Sequence, residues 1–234
     1  MDARLWHLRR ICDAAVVAGR SPAGQYQFRG RRLFRNSGDD RLPRRCGIAR
    51  RAGRDRPVAG GAGAVGHYAV QFAKAAGATV ITTISSPEKA DAARRAGADY
   101  MIDYKRDRVG ERIMAITGKR GVDAVIELDI AANASLIAQV LRPRGLVVVY
   151  GAGAAAAEVP LMFLLRNAIT LQFIYVYELD AAERAAALTA IERTATAGTL
   201  ITNVGKTFPL DEIVTTHEAV EQGKVLGNVV VMIR

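Results

Sequence analysis

The sequence predicts an α/β fold, a doubly wound parallel sheet with an irregular basic segment ahead of it, and three observations predict it. From Val58 onward, apolar β-branched runs alternate with helical stretches at roughly 10- to 15-residue intervals. A glycine cluster closes the first of these runs and opens the first helix. Charge also divides the chain in two. Residues 1–57 hold 15 arginines, no lysine, five aspartates and no glutamate, whereas residues 58–234 hold 18 basic and 18 acidic residues. The net charge of +10 therefore belongs entirely to the first part.

Each element of the second part has its own signal. Val58 to Gly66 ends a short apolar run, and the helix from His67 to Ala76 sets Val65, Ala69, Val70, Phe72 and Ala73 on or beside one face, with Gly77 closing it. Thr79 to Ile84 is β-branched and reads as a buried strand. Ser86 as N-cap and Pro87 at the first helical position start a helix that stops before Gly97. Asp99 to Asp103, Val122 to Leu128 and Gly145 to Tyr150 read as further strands, with a helix from about Ala132 to Leu141 between the last two.

The 234 residues suffice for one sizeable core, or for a domain with an appendage. No apolar run is long enough for a membrane helix, and the first 20 residues lack the apolar block of a secretory signal. Cys12 and Cys46 make neither a disulfide framework nor a four-ligand zinc site. The expectation is a soluble, cytoplasmic protein with no membrane partner.

Gly61, Gly63 and Gly66 fit G-x-G-x-x-G, the Rossmann-type dinucleotide spacing. Gly61 allows the tight turn off the strand, Gly63 clears the approach to a pyrophosphate, and Gly66 lets helix and sheet pack closely. The helix N-terminus then holds the phosphates. The end of the second strand reads Ile84-Ser85-Ser86, with no carboxylate before Glu88 to bond a ribose 2′-hydroxyl. Two hydroxyls and Lys89 beside a helix N-terminus suit a 2′-phosphate better, so NADPH is expected over NADH.

The stretch from Val58 through Ala96-Gly97-Ala98 to Asp103-Tyr104 resembles the zinc-independent quinone oxidoreductases of the medium-chain dehydrogenase/reductase superfamily, the zeta-crystallin branch above all. The likeness continues through Ile126-Glu127-Leu128, Asn133, Gly145 to Gly151, His217 to Glu221 and Gly227 to Val230. It implies an NADPH-dependent, metal-free reductase that passes hydride to quinones or other conjugated carbonyls. It also implies that Ala62, Gly63, Ala64 and Val65 wrap the pyrophosphate, and that Ser85, Lys89 and Tyr104 surround the 2′-phosphate. Asn133 would stand beside the cofactor, with Tyr150, Gly151, Ala152 and Gly153 and Phe173, Ile174 and Tyr175 flanking the nicotinamide. Tyr104 and Phe173 also read as ordinary packing aromatics, and Asn133 as a helix cap. Residues 58–234 contain no cysteine and two histidines, His67 and His217, which excludes the usual zinc sets. His67 reads as a surface or helix-start residue. No acid/base pair or activated nucleophile stands out, as suits hydride transfer, where the cofactor carries the chemistry. The resemblance further implies a homodimer formed through the Rossmann domain, for which Phe163 to Tyr177 is apolar enough.

The expected division is residues 1–57, an irregular Arg-rich segment; 58–200, the NADP-binding domain; and 201–234, which in the family returns to the substrate domain. Residues 1–57 resemble nothing in the family's substrate domain. They read as a disordered basic arm, as a nucleic-acid-binding tail, or as a GC-rich coding sequence read one base out of frame. A shifted reading of Gly30 to Arg45 permits the family's Gly-Ala…Pro…Thr-Ala-Tyr pattern, and one of Arg54 to Pro57 permits Gly-Thr-Val-Leu. As written, Asp55-Arg56-Pro57-Val58-Ala59 puts charges and a proline into a central strand and compromises it. Val229 to Ile233 would lack its usual partners in the substrate domain and leave an exposed apolar edge, so poor solubility is expected. The function expected is a reductase of quinones or related enones, truncated to its cofactor half and weak or inactive. The alternatives are a non-catalytic nucleotide-binding protein with a basic arm on nucleic acid, and a zinc-free enoyl or alkenal reductase.

Overall fold

The structure is a computed structural model; it describes residues 61–233 in full and, of what precedes them, the backbone of residues 55–58. Six parallel strands form one sheet: β1 (Asp55–Val58), β2 (Thr79–Ile84), β3 (Tyr100–Asp103), β4 (Val122–Glu127), β5 (Leu141–Val149) and β6 (Thr170–Phe173). Their order is β3-β2-β1-β4-β5-β6. The order reverses between β1 and β4, which opens a crevice at the carboxyl ends of those strands.

Period-two alternation divides the apolar side chains between the two faces of this sheet. Val80, Ile126 and Val148 pack with Tyr68, Val70 and Ala73 of α1 (Gly66–Ala75), Ala93 of α2 (Pro87–Arg95), and Ala187 and Ile191 of α6 (Ala181–Thr196). Their immediate neighbours Ile81, Val125 and Val147 pack on the other face with Ile113 of α3 (Val109–Ile116) and Ile137 and Val140 of α4 (Ile130–Val140). Helices therefore cover both faces. The short α5 (Leu161–Arg166) reaches the second cluster through Phe163.

The expected elements form with small shifts. Ser86 caps α2, its side chain accepting from the Lys89 N–H at 3.3 Å, with Pro87 in the first turn. Asp99 stays outside β3 because its carboxylate is used elsewhere, accepting from the Val80 N–H at 2.7 Å and from Lys74 Nζ at 2.8 Å. β5 starts four residues before Gly145, and Arg144 within it takes a positive φ of 60°. α3 carries no side-chain cap at Arg108. Without that signal it has no mark in the sequence comparable to Ser86-Pro87.

One expectation about strands is corrected and another is refined. β1 forms despite Pro57 and its charges, and it occupies the central position. All four of its residues pair with β2, whereas toward β4 the pairing is one residue, Val58 opposite Ile126. The parallel ladder on the β2 side thus tolerates a proline at an internal position. Val229 to Met232 finds a partner within its own C-terminal stretch, which leaves the expectation about its usual substrate-domain partners untouched. β8 (Asn228–Met232) pairs in parallel with β7 (Val204–Pro209), forming a separate two-stranded sheet crossed by α7 (Ile213–Glu221). That sheet still leaves Val204, Met232 and Ile233 exposed.

Candidate nucleotide site

The residues singled out from the sequence come together along one rim, because each follows the carboxyl end of a parallel strand. Gly61 to Gly66 lies between β1 and α1, Ser85 and Ser86 follow β2, and Tyr104 follows β3. Asn133 lies beyond β4, Tyr150 to Gly153 follow β5, and Ile174 and Tyr175 follow β6, whose last residue is Phe173.

The glycine turn is built for backbone contact. Gly61 is buried, and its N–H donates to Thr82 Oγ1 at 2.8 Å. A Cβ at Gly61 would collide with that same oxygen, so the glycine is required by close approach to β2. Gly63 is exposed, Ala64 and Val65 are half-buried, and Ala62 and Gly66 are buried. The Gly63 carbonyl accepts from the His67 N–H at 3.0 Å, which starts the helix. The N-cap, Val65, offers no side-chain bond, and the first turn of α1 carries no acidic residue. A helix N-terminus in this state presents its amides and its positive dipole end to an anion.

His67 is corrected from a surface position. It stands in the first turn of α1 but is buried, with Nε2 3.1 Å from the Ile201 carbonyl and Nδ1 without a partner among the described residues. Burial, with Arg95 adding to it, lowers its pKa below the ordinary 6.5 against the opposing effect of the Ile201 bond. The ring is then neutral and donates through Nε2–H. Gln71 binds the same segment twice: Nε2 donates to the Ile201 carbonyl at 2.9 Å, and Oε1 accepts from the Ile201 N–H at 2.7 Å. Asn203 Nδ2 reaches the Ala62 carbonyl at 3.4 Å. The helix after the glycine turn therefore anchors the chain that enters β7.

At the end of β2, Lys89 Nζ donates to Ser85 Oγ at 2.9 Å across the first turn of α2. The Tyr104 N–H donates to the Ile84 carbonyl at 3.1 Å, which ties the backbone after β3 to the end of β2, and the Tyr104 side chain is exposed. The Ser85 hydroxyl and the Lys89 ammonium thus meet at the N-terminus of α2.

Beyond β4, the capping role considered for Asn133 belongs to Asp129, which caps α4 by accepting from the Ala132 N–H at 3.3 Å. Asn133 instead donates from Nδ2 to Glu127 Oε1 at 3.0 Å. Sequence reasoning missed Glu127 as a site residue. Its signal is an acidic side chain directly after the apolar run Ala124-Val125-Ile126 of β4, and the structure buries it with Oε1 also accepting from the Asp129 N–H at 2.7 Å. The Tyr150 N–H donates to the Glu127 carbonyl at 3.1 Å. Burial, then the Glu127 charge, pushes the Tyr150 phenol up to about 12, so it serves as a hydroxyl donor at neutral pH. Gly151 lies against Leu128, where a Cβ would stand 2.8 Å from the Leu128 carbonyl, and a Cβ at Gly153 would collide with Asp129. Ala152 and Gly153 are exposed, as are Phe173 and Tyr175, whereas Ile174 packs against the core. A cavity of about 60 Å³ behind Glu127 and Asn133 is far too small for a nucleotide. The space available to one is the open crevice.

A strand, a glycine turn and an uncapped helix at a switch point define a dinucleotide-binding architecture, and the comparisons agree. The model of the zinc-binding dehydrogenase family matches residues 64–193, more than half of the chain. The chain belongs to this family, within the medium-chain dehydrogenase/reductase superfamily. A 2-haloacrylate reductase from Burkholderia sp is 31% identical over 182 residues, covering 73% of this chain and 53% of the relative. A quinone oxidoreductase from Pseudomonas aeruginosa is 39% identical over 90 residues, 38% of this chain and 28% of the relative. A mycobacterial structure complexed with NADPH superposes with a TM-score of 0.69 at 27% identity, over 78% of this chain and 57% of that one. The chain spans about half the length of the Burkholderia relative.

The family name implies zinc, and the donor set does not fit it. Among the described residues no three His, Cys, Asp or Glu side chains stand close enough to hold a metal ion. His67 already faces a carbonyl. A dinucleotide does fit: the glycine turn, the uncapped α1 and the Ser85–Lys89 pair supply amides, a dipole and a cation where phosphates would lie. No helix of the described residues is long and apolar enough to cross a membrane.

Proposed function

We propose that this dehydrogenase-family chain binds NADPH and belongs to a zinc-free reductase of quinones or related conjugated carbonyls. The observation that carries the reading is the Lys89–Ser85 pair at the end of β2, where an NAD-selective site would carry a carboxylate. When bound, the nicotinamide supplies the hydride. The chain's own part is to hold and orient. The α1 N-terminus takes the pyrophosphate, Ser85, Lys89 and Tyr104 take the 2′-phosphate, and Asn133 stands beside the cofactor. Tyr150, Gly151, Ala152 and Gly153, with Phe173, Ile174 and Tyr175, border the nicotinamide. The relatives' names, a quinone oxidoreductase and a 2-haloacrylate reductase, support an electron-poor acceptor. The second of them favours the enoyl or alkenal variant of the same chemistry.

Residues 58–200 would be the cofactor domain and 201–234 the strand-helix-strand return to a substrate domain. Residues 1–54, with the basic arm, the nucleic-acid tail and the frame-shift readings, lie outside the described residues. Weak turnover, a cytoplasmic location and a homodimer belong to the same proposal. The test is direct titration of the chain with NADPH and NADH, read by nicotinamide fluorescence. Saturable binding that favours NADPH supports the reading, and no binding of either rejects it.

A further inference from the structure

We infer that Glu127 is a positioning residue of the nucleotide crevice, fixing the Asn133 side-chain amide so that its oxygen, not its nitrogen, faces a bound ribose hydroxyl. The inference rests on the dinucleotide reading above and deepens it. A carboxylate accepts hydrogen bonds and cannot donate them. The Asn133 atom 3.0 Å from Glu127 Oε1 must therefore be the NH2 group. An amide end assigned against an obligate acceptor has one orientation, and Oδ1 is left on the side away from Glu127.

Three further observations make this arrangement stiff. Glu127 is buried, so its carboxylate has little freedom to turn toward water. The same Oε1 accepts the Asp129 N–H at 2.7 Å, which locks the carboxylate to the turn that caps α4. Asn133 stands in the second turn of that helix, with its own N–H donating to the Asp129 carbonyl at 3.2 Å. Strand end, cap and amide form one unit, placed beside the reversal of strand order between β1 and β4. Asn133 is half-buried rather than enclosed, and the structure records no protein donor on its Oδ1 among the described residues. That oxygen is an acceptor, and ribose hydroxyls are donors that a dinucleotide carries into the crevice at a switch point.

The experiment is a substitution cycle on the full chain, with the NADPH dissociation constant and the melting temperature measured for each variant. Asn133→Asp replaces the NH2 donor by a second anionic oxygen facing Glu127, which turns the unit against itself. NADPH binding is expected to weaken by about tenfold or more. Adding Glu127→Gln removes one of the two facing charges, and an amide turned so that its NH2 meets the carboxylate on α4 and its oxygen the Asp129 N–H divides between two atoms the contacts that Oε1 makes alone in the unaltered chain. The double variant is expected to bind NADPH several-fold more tightly than Asn133→Asp alone. A melting temperature that recovers without recovery of NADPH binding overturns the proposal and leaves a structural contact. Equal NADPH binding by Asn133→Asp and the unaltered chain also overturns it, with the dinucleotide reading intact. Failure of the unaltered chain to bind NADPH or NADH overturns both.

Discussion

The Gly61 N–H donates to Thr82 Oγ1 at 2.8 Å, joining the first residue of the glycine turn to the middle of the neighbouring strand. The contact explains why this position accepts no side chain. A Cβ on Gly61 would collide with Thr82 Oγ1 and come within 2.9 Å of Thr82 Cβ and 3.0 Å of Val70 Cγ2. Gly61→Ala is expected to destabilise the chain by about 1–3 kcal/mol through overpacking. Thr82→Val, which keeps the shape and leaves the buried Gly61 N–H without its acceptor, is expected to cost about 1–3 kcal/mol. Denaturant unfolding followed by circular dichroism measures both, and unchanged midpoints would show that the turn is not tied to β2 this way.

Lys89 and Ser85 should set the choice between the two nicotinamide cofactors. The ammonium is held over the strand end by the Ser85 hydroxyl at 2.9 Å, on the exposed first turn of α2. A 2′-phosphate there would take both groups, while a 2′-hydroxyl has no use for the charge. Lys89→Ala should weaken NADPH by about tenfold, near 1.4 kcal/mol, and leave NADH nearly unchanged. Paired titrations with the two cofactors give the ratio. A parallel loss of both would place Lys89 on a group the cofactors share.

The features legible in the sequence are those with a local chemical mark. Thr79 to Ile84 is almost wholly β-branched, Ser86-Pro87 caps and starts a helix, and the glycine spacing marks a strand-to-helix turn; all three stand where the sequence places them. β1 is hard to read because proline and charge weigh against a strand locally, whereas pairing along β2 outweighs them. His67 and Glu127 mislead for a related reason. Each is polar and looks solvent-facing in one dimension, but Ile201 and Asn133, which satisfy them, lie 134 and six residues away. Nothing local marks that the Ile201 segment returns to α1.

The same buried histidine makes the fold sensitive to acid. The folded pKa of His67 lies below the ordinary 6.5, so between those two values the unfolded chain binds the proton more readily than the folded one. This contribution to stability is complete above pH 6.5, falls as pH drops toward the folded pKa, and levels off below it. Protonation would place a second N–H on the partnerless Nδ1, beside a helix N-terminus that already disfavours positive charge. His67→Gln removes the titration and keeps a donor for the Ile201 carbonyl. Unfolding midpoints measured from pH 7.5 to pH 5 should therefore fall less steeply for the variant than for the unaltered chain. Equal slopes would assign the acid sensitivity to other groups.

The open edge of the six-stranded sheet should mediate self-association. Among the described residues β6 is the last strand in the order; its last residue, Phe173, is exposed, and past it so are Tyr175 and Tyr177, the last at 77%. Leu161 and Leu165 of α5 are exposed nearby in the chain. An unpaired strand edge with aromatic neighbours is costly for a monomer to leave in water, and it offers both ladder bonds and apolar area to a second copy. A symmetric pair would bring two β6 strands together and continue the sheet across the interface. Phe173→Lys adds charge at that edge, the means by which natural edge strands avoid pairing. Sedimentation velocity should give a dimer for the unaltered chain and a shift toward monomer, by roughly tenfold or more in dissociation constant, for the variant. The fold should be retained, because Phe173 is 68% exposed and its removal opens no cavity. If both chains sediment as dimers, association runs through another surface, of which the exposed residues Val214, Met232 and Ile233 are the next to test; if both sediment as monomers, the prediction fails.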